Sequence, residues 1–273
     1  MRTADVSTTS DERQQGNLAA PVDTQSSVRA RTGRRSLGGY LFMPVLLAVV
    51  LLLVYLSVST RDLDSAEAKR LALGFIVART QEHLKLTVVS TLLVLVIAIP
   101  LGILLTRSFA RTITPPAIAV FNVGQAVPSI GLVAIFAIAW RIGFEPMIVA
   151  LVAYTTLPVL RNTMVGLSQV DASVIESARG MGMTKLAVLT RIELPLAVPV
   201  IMAGLRTALT INIGTATLGT FIGAGTLGSL IVSGFSGNRP FISIVGGILV
   251  AVLALLVDYL AGIAEDVLRP RGL

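Results

Sequence analysis

The chain has 273 residues, of which 54% are apolar and 14% charged, with a mean hydropathy of +0.83. This composition is too apolar for a soluble domain of that length and indicates an integral membrane protein. The lack of cysteine excludes disulfides and thiolate metal sites, and we predict no metal site of any kind. The net charge of +7 does not indicate a nucleic-acid partner, because arginines beside apolar segments account for much of it.

Residues 1–36 are rich in Ser, Thr, Gln, Asp and Arg and show no apolar periodicity. Such a segment cannot bury enough apolar surface to fold alone, so we expect a disordered cytoplasmic tail. The apolar run that follows is too long for a signal peptide, and no small-residue cleavage site comes after it. We therefore expect an uncleaved transmembrane helix.

Six apolar stretches are long enough to cross the roughly 30 Å hydrocarbon layer of a bilayer. They predict an all-α, six-helix membrane protein with both termini in the cytoplasm, because Lys and Arg are in excess on that side. The stretches cover residues 41–59, 84–106, 117–140, 146–167, 197–217 and 241–264. The predicted units are a first helix with an outer segment (37–82), the main transmembrane domain (83–266) and a cytoplasmic end (267–273).

The outer segment mixes charged and apolar residues over 62–82, which suits a helix lying at the outer surface or packed on a partner. His83 follows it, beside Glu82 and Lys85 and just before an apolar run. We expect a solvated histidine at the membrane interface rather than a catalytic one.

The segment 214–228 is rich in Gly and Thr and contains a glycine pair at four-residue spacing, Gly219 and Gly223. Glycines at this density allow close helix packing, and they also allow a broken helix or a re-entrant turn. We expect a region where chains pack closely or shift relative to each other.

Polar residues inside apolar stretches are unfavourable in hydrocarbon and usually face the bundle interior or water. We predict that some line a translocation path, and the alternative for each is a hydrogen bond that joins two helices. Arg206 and Asp258 lie at similar depths, so we predict an ion pair inside the bundle, more structural than substrate-binding. The candidate path residues are Asn122, Gln125, Ser129, Tyr154, Asn162, Asn212, Thr215 and Thr217.

A polar island at 168–196 separates the fourth and fifth stretches. Asp171 and Thr184 are good N-caps for two short helices, and Gly180 and Gly182 allow a sharp bend between them. Pro195 would begin the next span, where its missing N–H costs little. We interpret the island as a docking element; the alternative is a loop folded on its own membrane domain. Its central residues are Glu176, Ser177, Ala178, Arg179, Gly180, Met181 and Gly182, followed after nine residues by Ile192, Glu193, Leu194 and Pro195.

The spacing of this island resembles the cytoplasmic coupling loop of ABC importer permeases, which reads E-A-A, three residues, G, nine residues, I-x-L-P. Ser177 replaces the first Ala of that pattern, and the other six fixed positions match. Flanking runs resemble, more narrowly, permease subunits of glycine betaine, carnitine, choline and proline uptake systems. Those runs are 125–129, 154–163, 177–184, 193–201, 204–208 and 211–217.

This resemblance implies a type I ABC importer transmembrane domain in the cell membrane of a prokaryote, without an active site of its own. Two permease subunits, identical or paralogous, would form the path within the membrane lipid. Cytoplasmic ATPase subunits, which carry ATP and Mg²⁺, would bind the coupling loops, and an extracytoplasmic binding protein would deliver the substrate. The sequence agrees, since none of its lysines follows the glycines of a phosphate loop.

The implied mechanism is alternating access, in which the loop at 171–192 moves with the ATPases and rocks the fifth and sixth spans. An aromatic cage for a quaternary ammonium is expected on the binding protein, because this chain has one Trp and four Tyr. Other readings remain open. They are an ABC permease for another solute such as an amino acid or phosphonate, an ion-coupled transporter using Arg206 and Asp258, and a structural scaffold.

Overall fold

The computed structural model describes residues 37–268. The predicted tail at 1–36, its arginines and residues 269–273 lie outside the described residues. Contacts divide the chain after Tyr40, and the helical bundle considered below is the unit that begins at Leu41. Every regular element within 37–268 is helical.

The helices follow one another with short connections and include one π-helical and two 3₁₀ segments. The α-helices are α1 (Leu37–Ser59), α2 (Ser65–Leu71), α3 (Leu73–Leu105), α4 (Thr114–Ala126), α5 (Ser129–Ala139), α6 (Phe144–Ser168), α7 (Ala172–Gly180), α8 (Lys185–Val188), α9 (Leu194–Ala216), α10 (Gly228–Ser236) and α11 (Pro240–Leu268). The 3₁₀ segments are Ser108–Ala110 and Thr217–Ile222, and the π-helical turn is Leu189–Glu193.

Within the described range, five helices are long and apolar enough to cross a membrane, and α4 with α5 would make a sixth. The predicted third span is wrong as a single straight helix, because α4 and α5 meet at a bend of 95°. Pro128 has no N–H, and Val127 before it is extended (φ −72°, ψ 131°), so α4 ends there.

The second span is longer than predicted, since α3 runs without interruption through residues 73–105. The predicted helical segment over 62–82 is divided between α2 and the first ten residues of α3, and the predicted unit boundary at 82/83 falls inside α3. Asp64 caps α2 in a capping box with Glu67, which explains where this short helix begins.

The fifth span begins earlier than predicted. One continuous helix runs from Lys185 to Ile222 and consists of α8, the π-helical turn, α9 and the second 3₁₀ segment. Pro195 lies in the first turn of α9, and helical structure already precedes it in the chain. The preceding π-helical turn accommodates the proline, so Pro195 does not start the span.

The centre of the bundle is the contact between α6 and α9, with α3 packed on both. Two glycines permit the close approach. A Cβ on Gly204 would lie 2.5 Å from Cβ of Asn162, and one on Gly166 would lie 3.1 Å from the carbonyl oxygen of Ala197. Small residues at these positions bring the two backbones together.

The glycine-rich segment after α9 turns back on itself, as the sequence analysis allowed. The 3₁₀ segment ends at Gly223 (φ +70°), a second left-handed residue follows at Gly225 (φ +66°), and α10 then begins. Gly219 packs against Thr226 and Ala224, so close packing of this segment is confirmed. A Cβ on Gly228 would overlap the carbonyl of Thr217, which fixes that position as glycine.

His83 is fully buried, so the expectation of a solvated interfacial histidine is wrong. The N–H of Leu227 donates to its Nδ1 (3.3 Å), and its Nε2 lies 3.1 Å from the carbonyl oxygen of Ile213. Both contacts are satisfied by a neutral ring with the proton on Nε2. His83 thus joins α3 to α9 and to the segment that precedes α10.

Candidate coupling loop and polar helix faces

The 168–196 loop forms the two short helices that the sequence predicts. The side chain of Asp171 accepts a hydrogen bond from the N–H of Ser173 (2.8 Å), and Thr184 accepts one from Ala187 (3.2 Å). Hydrogen bonds from Ser173 hold the pKa of the Asp171 carboxyl below its ordinary value of 3.8. Both predicted N-caps are confirmed.

The bend between α7 and α8 depends on one glycine rather than two. Gly182 has φ +87°, whereas Gly180 is the last residue of α7 and has ordinary helical geometry. The N–H of Met183 donates to the carbonyl of Ala178 (3.2 Å), which closes the turn. The prediction of a special backbone at Gly180 is therefore wrong, and at Gly182 it is confirmed.

The surface of this loop is unusually apolar for an extramembrane segment. Ala178 is buried against the turn, but Val174, Met181 and Leu186 are 42%, 78% and 69% exposed. The side chains of Glu176, Ser177 and Arg179 are also exposed. Exposed apolar side chains rimmed by polar ones, at the connection between two spans, are typical of a docking surface.

The loop returns to the bundle through Ile192, Leu194 and Pro195, all half-buried. Between them Glu193 is buried and forms a bidentate salt bridge with Arg107 at the end of α3 (2.6 and 3.3 Å). Sequence analysis missed this pair. The position falls in the variable place of the I-x-L-P pattern, and 86 residues separate the partners.

The candidate path residues on α4 and α6 contact one another. Pro158 has no N–H for the carbonyl of Tyr154, and the Gln125 amide donates to that oxygen instead (3.1 Å). One turn further, Arg161 donates to Asn122. These contacts join two helices, which is the alternative that the sequence analysis kept open.

The remaining candidate path residues do not lie together on one surface. The Asn162 amide donates to the carbonyl of Pro158 (2.9 Å) at the α6–α9 contact. Asn212 is fully buried and donates to Ser90 and Thr91 of α3 (3.0 Å each), so it does not line an open path and that prediction is corrected. Three more candidates, Ser129, Thr215 and Thr217, are half-buried.

The predicted contact between Arg206 and Asp258 is present. Nε and Nη2 of Arg206 donate to the two carboxylate oxygens at 2.9 Å each, and Nη1 donates to Glu265 (3.2 Å), a third member that sequence analysis missed. The three side chains are 26–36% exposed. Arg206 and Asp258 border a cleft of about 440 Å³ whose lining also includes Ala203, Thr207, Thr210 and Ile211.

Within residues 37–268, no group of three or more His, Asp or Glu side chains is placed to hold a metal ion. The features that could carry function in this part of the chain are the loop with exposed apolar side chains, the salt bridge at its root, and the open cleft on α9.

This fold is that of a type I ABC importer transmembrane domain. It resembles the inward-facing methionine ABC transporter MetNI, with a TM-score of 0.64 over 71% of this chain and 96% of that chain, at 23% identity. The bacterial alginate ABC transporter matches with a TM-score of 0.57 over 82% of this chain and 93% of that chain, at 18% identity. At these identities the likeness concerns the fold alone.

Residues 98–270 match the family described as binding-protein-dependent transport system inner membrane component, and the chain belongs to that family. It is 41% identical to the choline transport system permease protein OpuBB of Bacillus subtilis (73% of this chain, 91% of that protein). It is 40% identical to the osmoprotectant import permease protein OsmY of Salmonella typhimurium (78% and 89%). The chain is thus a multi-pass permease subunit of an ABC importer, and not an enzyme.

Proposed function

We propose that this chain is the permease subunit of an importer for a small osmoprotectant with a quaternary ammonium group, such as choline, glycine betaine or carnitine. The observation that carries this proposal is 38–41% identity to permeases named for those solutes, over about nine tenths of their length. The chain has a single tryptophan, Trp140, which is 58% exposed at the end of α5, and we place the aromatic cage that selects the ammonium group on a separate binding protein.

The loop formed by α7 and α8 is the surface that receives a cytoplasmic ATPase in this proposal. Its exposed Val174, Met181 and Leu186 supply apolar contact area, and Glu176 and Arg179 supply polar contacts at the rim. The bend at Gly182 sets the angle between the two short helices. Binding of ATP by the partner would move the loop, and α9, continuous with α8, would move with it.

The cleft on α9 supports a second permease subunit beside this one. Ala203, Thr207, Thr210 and Gly214 are exposed along one face, at positions where a lipid-facing helix would be apolar. Their spacing of four, three and four residues follows a single helical stripe. We assign this face to the substrate path shared with that subunit, identical or paralogous.

The proposed orientation places both termini and the coupling loop in the cytoplasm. If α4 and α5 count as one span, six crossings put the start of α1, the 168–185 connection and the end of α11 on the same side. An ATPase can reach the loop only on the cytoplasmic side, which fixes the direction.

The substrate class is tested by uptake in cells that lack this chain and carry it on a plasmid. Complementation should restore uptake of radiolabelled choline or glycine betaine, and vanadate should abolish it because the driving force is ATP hydrolysis. Restored uptake of an amino acid instead would replace the substrate assignment. Uptake that follows an ion gradient and resists vanadate would reject the ABC mechanism.

The coupling surface is tested with Gly182→Val, compared with Gly74→Ala, a glycine at the far end of the bundle with open space around it. At φ +87° a β-branched residue is strained, so the loop should lose its shape while membrane insertion persists. We expect uptake to be abolished in Gly182→Val and retained in Gly74→Ala at equal membrane abundance. Normal uptake by Gly182→Val would reject docking through this loop.

A further inference from the structure

The root of the coupling loop is joined by the guanidinium of Arg107 to the chain just beyond the end of α3. Nη1 and Nη2 of Arg107 donate to the carboxylate of Glu193, and Nε donates to the carbonyl of Ile103 (3.2 Å). The Glu193 side chain is only 8% exposed and that of Arg107 is 31% exposed. Because a carboxylate so buried is stable only with its partner, the two elements are held in one relative position.

Apolar packing surrounds the salt bridge at the same place. Leu167 at the end of α6, Ala197 and Ile201 form a buried cluster with Ile103 of α3 and Leu189 of the π-helical turn. Two of the three helices that meet here continue into the coupling loop along the chain. The third, α3, does not, and Arg107 is the side chain that ties it to the loop's return segment.

The opposite end of α3 carries a second connection, through His83. That ring contacts the N–H of Leu227 and the carbonyl of Ile213, on the glycine-rich side of the bundle. The helix α3 is continuous from His83 to Leu105, about 33 Å at 1.5 Å per residue, and Arg107 lies two residues beyond its end. The chain from His83 to Arg107 therefore contacts the segment before α10 with its first residue and the loop root with its last.

We propose that the Arg107–Glu193 pair transmits the movement of the coupling loop to α3, and through α3 to the outer segment at Leu227. Arg107 and Glu193 are positioning residues in this proposal, since neither contacts substrate or nucleotide. The inference rests on the proposed function, because it needs a loop that an ATPase moves. It adds a route to the outer side that does not pass along α9.

A merely structural salt bridge would behave differently from a transmitting one. Arg107→Gln leaves Glu193 buried without its partner, so the subunit should lose stability. Adding Glu193→Gln removes the stranded charge, so thermal stability should return toward the wild-type value. Transmission requires the ion pair itself, and we expect it to stay impaired in the stable double variant.

The experiment uses the complete transporter, with its ATPase and binding protein, in proteoliposomes. The measured quantity is substrate imported per ATP hydrolysed, beside the thermal stability of each variant. We expect that ratio to fall on the order of tenfold in Arg107→Gln/Glu193→Gln, within the usual range of coupling between sites. Arg141→Gln, which breaks an exposed pair with Glu145, is the control and should leave the ratio unchanged.

Recovery of the import ratio together with stability in the double variant would overturn the proposal and leave the pair a structural clamp. A wild-type ratio in Arg107→Gln would overturn it as well. Gly182→Val, assayed in parallel, separates this failure from that of the proposed function. If Gly182→Val imports normally, the docking loop is wrong; if only the double variant imports normally, the link through α3 is wrong.

Discussion

The two segments at either end of the fifth span both bend at left-handed glycines, yet Gly182 in one and Gly225 in the other have opposite surroundings. A Cβ on Gly182 in the coupling loop would meet nothing within 4 Å. In the segment 217–228, a Cβ on Gly225 would lie 2.5 Å from Glu82, and one on Gly228 would overlap the backbone of Thr217. Gly182 shapes an exposed surface, and Gly225 and Gly228 let the chain pack on itself.

The difference predicts that the same residue type contributes to transport at one end and to stability at the other. Substitutions in the coupling loop should abolish transport without unfolding the subunit. Substitutions in the packed segment should unfold it before any effect on transport can be seen. The following predictions test this separation, beginning with the largest expected loss of stability.

Gly228→Ala should destabilise the subunit by at least about 3 kcal/mol, because its Cβ meets backbone atoms that cannot move aside. Little protein should reach the membrane, and its melting temperature in detergent should fall steeply. Gly247→Ala, in α11 with open space around it, is the matched control and should be tolerated. A normal melting temperature for Gly228→Ala would remove the contrast between the two ends.

Arg206→Ala should cost about 1.5–3 kcal/mol of stability, since two carboxylates lose charged hydrogen bonds. Adding Asp258→Ala should restore part of the loss, and adding Glu265→Gln should restore more, because stranded charges are removed one at a time. Melting temperatures of the single, double and triple variants measure this. Strictly additive losses would mean that the three side chains do not interact, and Arg206 would return to the candidate path.

His83→Leu should destabilise by about 1–3 kcal/mol, because the Leu227 N–H is left buried without an acceptor. His83→Gln keeps a side chain with both an acceptor and a donor, so it should lose less. Thermal stability of the two variants gives the comparison. Equal losses would show that ring packing, rather than hydrogen bonding, holds α3 against the glycine-rich segment.

Asp171→Ala should have the smallest effect and should leave the melting temperature unchanged. It removes the cap of α7, so the amide protons of the first turn should exchange faster with solvent. In the intact chain the pKa of Asp171 is lowered, so the cap is fully present above about 3.8 and is lost only as the pH falls through that lowered pKa. A large fall in melting temperature would contradict a loop that is independent of the core.

Local chemistry in the sequence predicted much of the coupling loop. The caps Asp171 and Thr184 and the bend at Gly182 depend on neighbours within a few residues, which a sequence displays directly. The Arg206–Asp258 contact was also predictable, because helix rise alone places the two charges at one depth. The family resemblance added the class of transporter, which the relatives then supported.

Contacts between distant helices could not be predicted in the same way. The burial of His83 depends on Ile213 and Leu227, which approach it only when α9 and the following turn pack on α3. The bend between α4 and α5 arises at Pro128. Another proline, Pro158, lies inside α6 without ending that helix. Whether a proline breaks a helix or is accommodated depends on which neighbour satisfies the freed carbonyl, and a single sequence does not reveal that neighbour.

The π-helical turn Leu189–Glu193 has a consequence for the direction in which the coupling surface faces. Successive residues of an α-helix are rotated by about 100°, so one residue more or fewer turns everything beyond it by that angle. Removing one residue from this turn would restore regular α-geometry while leaving every side chain of α7 and α8 unchanged. The exposed face of α7 and α8 would then point in another direction, so the length of the turn contributes to the orientation of the loop beside the contacts of Leu189 and Glu193.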